Sequence, residues 1–382
     1  MNYYIIPKNN CQIHLDLKRI DKIHPHISHS LFYYLTNLNS QIKKVQDDNN
    51  ESVNEQINEI TIDYINKIVN PFEFVHSIVP GSNISVSKVK PESKIFFEMF
   101  EIFQLFSIND FLSLKQKINI AHLTPNHSST NYFLNMLRED DDDTIICEDF
   151  VFKQLYSMFL KNQFEHKLDL LICEFNDYTD TRSYINNFLL TFAIIVKYQA
   201  SEGVCIIKID NVFYKPIIDI IFALSTIYDK IFIIKPTISD IATGERYIVC
   251  KSFNVNGIDF ANLLHQVETK VIPKLDTKEY DFHYESVIKN NIPYFFLNKI
   301  EESNAVIGQQ QLEAYDFIIN IFKNKNRDEK IESIKRTHIQ KCINWCEKNQ
   351  LPHNKFVDKI NIFLTARKKE SEEEEKEKST DV

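Results

Sequence analysis

The chain has 382 residues, 44 basic and 53 acidic side chains, and a net charge of −9. With 43% hydrophobic and 12% aromatic residues it can bury the cores of two or three structural units, which excludes a wholly disordered chain. Only five glycines occur (Gly81, Gly203, Gly244, Gly257 and Gly308) and none lies near another, so neither a P-loop nor a GxGxxG phosphate turn can be built.

The first residues, Met1 to Pro7, carry no basic or long apolar run, so no secretory leader is expected. Residues 3–6 predict a short strand. Leu31, Tyr34, Leu35, Leu38 and Ile42 are spaced for a helix over 30–45, and Ile57, Ile60, Tyr64 and Ile68 for another over 53–69, with a polar break between. The region 1–86 is therefore expected to be mostly helical, closing near the turn Pro80-Gly81-Ser82-Asn83.

From Pro91 the pattern changes. A helix is predicted over 92–106, with Ile95, Phe96, Met99, Ile102 and Phe103 on one face. Apolar strands follow over 118–123, 144–147, 168–173, 203–209, 230–234 and 246–252, with helices over 181–199 and 215–227. Strands this rich in Ile, Leu, Val and Cys imply a sheet buried on both faces, and their alternation with helices predicts a doubly wound α/β domain over 87–255. Helical patterns at 259–271, 311–323 and 331–348 make 256–366 a helical C-terminal region, and 367–382 is a charged, solvated tail like the acidic run 140–143. The longest apolar stretch, 188–196, is about half the ~20 residues of a membrane span, so no membrane partner is expected. Seven scattered cysteines read as reduced thiols of a cytoplasmic protein.

Two segments carry the chemistry. Lys208 ends the apolar run 203–209, at the carboxyl edge of the expected sheet where such domains place ligands, and a desolvated amine there is suited to proton transfer. Residues 233–250 read strand, Lys235-Pro236, a polar loop containing Ser239, then Glu245-Arg246-Tyr247 entering the last strand. A carboxylate at the mouth of that strand can pair with Lys208 across the sheet edge. His24, His26 and His29 flank Pro25 and are read as turn residues, and His338, Cys342 and Cys346 as packing beside Trp345, so no metal is expected.

The order strand-Lys, helix, strand-Lys-Pro-x-x-Ser, then Glu-x-Tyr-x-Val resembles the C-terminal half of the FtsJ-like RNA ribose 2′-O-methyltransferases, a family that includes mRNA cap methyltransferases. The resemblance runs over about 87–252 and implies a Rossmann-like methyltransferase sheet, S-adenosylmethionine as cofactor and RNA, including capped mRNA, as partner. It also implies a Lys-Asp-Lys-Glu tetrad around the target ribose, with Lys208 in the third position and Glu245 in the fourth. The second position holds Glu174 instead of Asp, and the first holds Glu98 instead of Lys. Where the family has a Pro-Gly-Gly-aromatic cofactor turn, this chain has Leu123-Thr124-Pro125-Asn126-His127-Ser128-Ser129, so Ser128 and Ser129 replace both glycines. Leu123 and Glu148 complete the cofactor positions that the resemblance implies. RNA phosphates would meet Lys88, Lys90 and Lys94, or Lys335, Arg336, Lys341, Arg367, Lys368 and Lys369.

Three readings follow. The favoured one is a catalytically degenerate fold kept for RNA binding or for assembly with capping or polyadenylation partners. The second is an active cap methyltransferase, and the third a structural virion or scaffold protein. The Asn-, Ile- and Lys-rich composition is similar to that of FtsJ-like proteins of large cytoplasmic DNA viruses, which implies host cytoplasm or virion.

Overall fold

The computed structural model describes residues 3–51, 62–125, 127–138, 143–161, 166–175, 180–276, 282–323, 327–354 and 356. The acidic residues 140–142, the first nine residues of the helix expected over 53–69, and the tail 367–382 lie outside them. In chain order the elements are β1 (Tyr3–Ile6), β2 (Leu15–Ile20), α1 (His29–Glu51), α2 (Ile62–Val69), α3 (Ile95–Leu105), α4 (Ile108–Ser113), β3 (Asn119–Leu123), α5 (His127–Leu137), β4 (Thr144–Glu148), α6 (Phe152–Leu155), β5 (Leu168–Glu174), α7 (Thr181–Tyr198), β6 (Gln199–Ile209), α8 (Lys215–Ile227), β7 (Tyr228–Ile234), β8 (Arg246–Phe253), α9 (Phe260–Gln266), α10 (Ile272–Leu275), β9 (His283–Ile288), α11 (Tyr294–Lys323) and α12 (Arg327–Lys348).

Seven strands form one sheet in the order β1-β7-β8-β6-β5-β3-β4. β4, β3, β5 and β6 run parallel, β8 is inserted antiparallel between β6 and β7, and β1 closes the edge antiparallel to β7. The chain steps from β3 outward to β4, then returns to β5 on the other side of β3. That reversal makes a topological switch point at the carboxyl ends of β3 and β5, the position where open α/β sheets hold ligands.

Side-chain alternation divides the core in two. In β6, Cys205, Ile207 and Ile209 face α7 and α8, while Val204 and Ile206 face α3 and α5 on the opposite side. β5 is buried at every position from Leu168 to Cys173, as expected of strands covered on both faces. The result is a mixed α/β fold with a mostly parallel central sheet, compatible with a methyltransferase fold. No helix among the described residues is long and apolar enough to cross a membrane.

The flanks differ from the expected helical regions. β1 joins the central sheet, and β2 pairs with β9 in a separate two-stranded ribbon. The ribbon is anchored from α8, where the buried Asp219 carboxylate accepts the Val287 and Ile288 N–H groups at 2.8 and 3.4 Å. β2 shows only Leu15 and Leu17 to the core, too short an alternation to read as a strand without a partner more than 260 residues away. β6 also begins four residues early, because Glu202 takes a left-handed φ of 62° and bulges the strand ahead of Gly203. At Gly203 an added Cβ would lie 2.3 Å from Gln199 Nε2 and 2.8 Å from the Ala200 carbonyl, so only glycine fits.

Candidate functional site

Strand register brings the predicted residues together. Glu174 at the end of β5 and Lys208 near the end of β6 are Cα partners, and Tyr247 of β8 is the partner of Lys208 on its other side. All three lie on the face covered by α3, whose first turn places Glu98 above them. Lys208 Nζ donates to Glu174 Oε1 at 2.8 Å, with Glu245 Oε2 at 3.4 Å and Glu98 Oε2 at 3.9 Å. The side chains of Glu98 and Lys208 are 0% and 6% exposed, those of Glu174 and Glu245 13% and 26%, so the cluster opens to solvent on the Glu174–Glu245 side.

Glu98 is held from both sides. Tyr247 donates its hydroxyl to Glu98 Oε2, and Ser239 Oγ donates to Oε1 at 2.9 Å. Burial pushes this carboxyl up, but the charges of Lys208 and Lys94 and the two hydroxyls outweigh it and leave its pKa below the usual carboxylate value. Glu174 moves the other way: burial raises it, the Lys208 charge opposes, and the charges of Glu98 and Glu245 add to the rise. Three carboxylates thus share one amine within 4 Å, a local excess of negative charge that a second lysine at position 98 would have balanced.

This arrangement has a measurable signature. A carboxyl with a depressed folded pKa adds stability above its unfolded value, and that stability is lost as pH falls through the folded pKa. Tyr247→Phe, which removes one hydrogen bond from Glu98, should therefore cost about 1–3 kcal/mol at neutral pH and start the acid loss at higher pH. Urea midpoints between pH 3 and 7 read both effects. Parallel wild-type and variant profiles would show that the hydroxyl does not hold the charge.

The cofactor positions also gather at the carboxyl edge. Leu123 at the end of β3 is in register with Glu148 at the end of β4, and the turn beyond leads directly into α5. That turn is closed against the segment before α3. Ser128 Oγ donates to the Glu92 carboxylate, and Ser129, 1% exposed, accepts the Ser93 N–H at 2.8 Å. Glu148 Oε2 accepts Gln154 Nε2 at 2.6 Å. Beneath it His122, hydrogen-bonded to Thr124 at 2.9 Å, is pushed down to about 4 by burial and stays neutral. Ser128 and Ser129 are the second and third residues of α5, Ser128 exposed and Ser129 buried, so the Cβ atoms that replace the expected glycines stand in the first turn of this helix. At these two positions the chain presents side chains, and not bare backbone, to a ligand.

The remaining candidates are dispersed. Lys94 caps the start of α3 and acts on Glu98. Lys335 and Arg336 pair with Glu332 along α12 at 2.7 and 3.9 Å. Lys341 borders a separate cavity of about 560 Å³ beside Trp345, and Arg367, Lys368 and Lys369 lie outside the described residues. Cys342 and Cys346 are buried in the core around Trp345, and no metal-binding group of three or more His, Cys, Asp or Glu occurs among the described residues. Ser239 and Tyr247, which tie down Glu98, entered the sequence reading as motif residues with no role assigned. The signal was present, since Tyr247 follows Glu245 by two and so returns to the same face of the strand.

No family profile matches the chain. Among curated proteins it is similar to the Cap-specific mRNA (nucleoside-2'-O-)-methyltransferase 2 of Drosophila melanogaster, 23% identical over 132 residues. That stretch is 35% of this chain and 18% of the relative, so the chain spans less than a fifth of the relative's length.

Proposed function

We propose that this protein keeps the fold of an RNA 2′-O-methyltransferase without its chemistry, and serves RNA binding or assembly with mRNA-processing partners. The observation that carries this reading is Glu98. A carboxylate stands, fully buried and hydrogen-bonded by two hydroxyls, where the family resemblance calls for a lysine. The Lys208 amine is engaged by three carboxylates within 4 Å, which leaves it tied in an ion network instead of free to meet a ribose hydroxyl. The same charge excess repels a phosphodiester, so any RNA path is expected over Lys88, Lys90 and Lys94 and not across the cluster. The side chains of Ser128 and Ser129, where the family resemblance calls for glycines, support the same reading.

Calorimetric titration with S-adenosylmethionine and S-adenosylhomocysteine tests it. No heat is expected up to ligand concentrations on the order of millimolar, where a competent pocket would bind at micromolar levels. Micromolar binding would overturn the reading. An active enzyme is the second reading, favoured by the grouping of Lys208, Glu174 and Glu245 in three of the four tetrad positions. If it holds, Lys208→Ala abolishes methyl transfer to capped RNA. If only these two side chains are at fault, Ser128→Gly with Ser129→Gly restores cofactor binding.

A further inference from the structure

Lys235, the first residue after β7, takes no part in the carboxylate cluster. Its Nζ donates to the Thr243 carbonyl, and no carboxylate of the described residues comes within 4.0 Å of it. The residue borders a cavity of about 320 Å³ whose other walls include Tyr4, Pro71, Phe72, Ile241, Val306 and Ile307. Lys235 is half-buried, and an ammonium with one neutral partner beside these side chains, Thr237 and Gln310 is poorly compensated, so loss of its charge would relieve that.

We propose that Lys235 is a selective acylation site, accepting a short acyl group from an acyl thioester, with the acyl chain lodging in this cavity. The neutral amine attacks the thioester carbonyl, the new N–C bond replaces the C–S bond, the thiol leaves, and the amine proton passes to the thiolate or water. The resulting amide keeps one N–H for Thr243, and the methyl or longer chain meets Phe72, Ile241 and Ile307. No existing hydrogen bond is lost, and a half-buried charge is removed.

The groups facing Lys235 support a reactive amine. Burial, followed by the Arg246 charge from β8, lowers it to about 8, against the upward pull of Asp240 and Glu245 in the loop and Glu98 of α3, while β1 contributes the Tyr4 hydroxyl. Roughly half of such amines are neutral at pH 8, compared with under about 1% for a lysine near its ordinary ~10.4.

Incubating the full chain with acetyl-coenzyme A at pH 7 to 10, followed by peptide mass spectrometry, tests the site. Lys235 should label first, at least about tenfold faster than any exposed lysine at pH 8, with a rate that levels off near pH 8. Lys235→Arg should remove that adduct alone, and butyryl-coenzyme A should label the same residue. Labelling spread over exposed lysines, a Lys235 rate still rising steeply above pH 9, or the same preference in urea-unfolded chain would each overturn the proposal. None of these outcomes depends on whether the protein transfers methyl groups.

Discussion

Lys208→Met is expected to lower the unfolding free energy by about 3–5 kcal/mol, the range for removing one partner of a buried ion pair. The lysine is 6% exposed and is the shared cation of Glu98, Glu174 and Glu245. Without it, Glu98, with no exposed side-chain surface, keeps its hydroxyl partners and the more distant charges of Lys94 and Lys235. Urea denaturation at pH 7 measures the loss. Adding Glu98→Gln to the variant should recover part of it, because the amide carries no charge to leave stranded. If Lys208→Met costs under about 1 kcal/mol, the level of an exposed pair, the cluster is not a buried ion network. Any assay of Lys208 variants must therefore be read with the folded fraction known, since lost activity and lost structure would coincide.

Arg246→Met should have the next largest effect, about 2–4 kcal/mol, because it strips charge-assisted hydrogen bonds from buried acceptors. The side chain is 2% exposed. Its Nε donates to the Asp210 and Gly244 carbonyls at 3.2 and 2.9 Å, and Nη1 donates to Asn304 Oδ1 at 2.8 Å. These bonds join the end of β6, the loop before β8 and α11. Burial, opposed first by the Asp210 charge, lowers its pKa to about 10, so the guanidinium stays charged at neutral pH. Because Gly244 directly precedes Glu245, the variant should also loosen the carboxylate beside Lys208. Hydrogen exchange should then rise selectively over 240–246 and at Asn304. A stability loss with unchanged exchange there would leave Arg246 as packing alone.

The central strands were legible because they are short, apolar and separated by long helical runs. β3, β4, β5, β7 and β8 start or end within two residues of their expected limits. The β2–β9 ribbon was not legible, since its pairing joins segments near opposite ends of the chain and Leu15 and Leu17 are all that β2 offers to a local pattern. α11 begins at Tyr294, well before the helix expected over 311–323; Phe296, Ile300 and Ile307 keep helical spacing, but the buried positions between them are the polar Ser303 and Asn304, which interrupt the apolar pattern.

At the site, the sequence by itself determined the inventory: a lysine ending one strand, a carboxylate ending the next, Glu-x-Tyr opening the last, and two serines in place of glycines. Residue type and strand period suffice for that, because alternation assigns each side chain to a face. Tertiary structure alone decided how these charges are shared. Packing α3 over the sheet puts Glu98 within 3.9 Å of Lys208 and beneath the hydroxyls of Tyr247 and Ser239, and closes Ser129 onto Ser93. Such contacts join residues 36 to 149 positions apart. They depend on how helix and sheet dock, and no local pattern encodes the distances that make a cluster of charges either a proton shuttle or a sealed ion network.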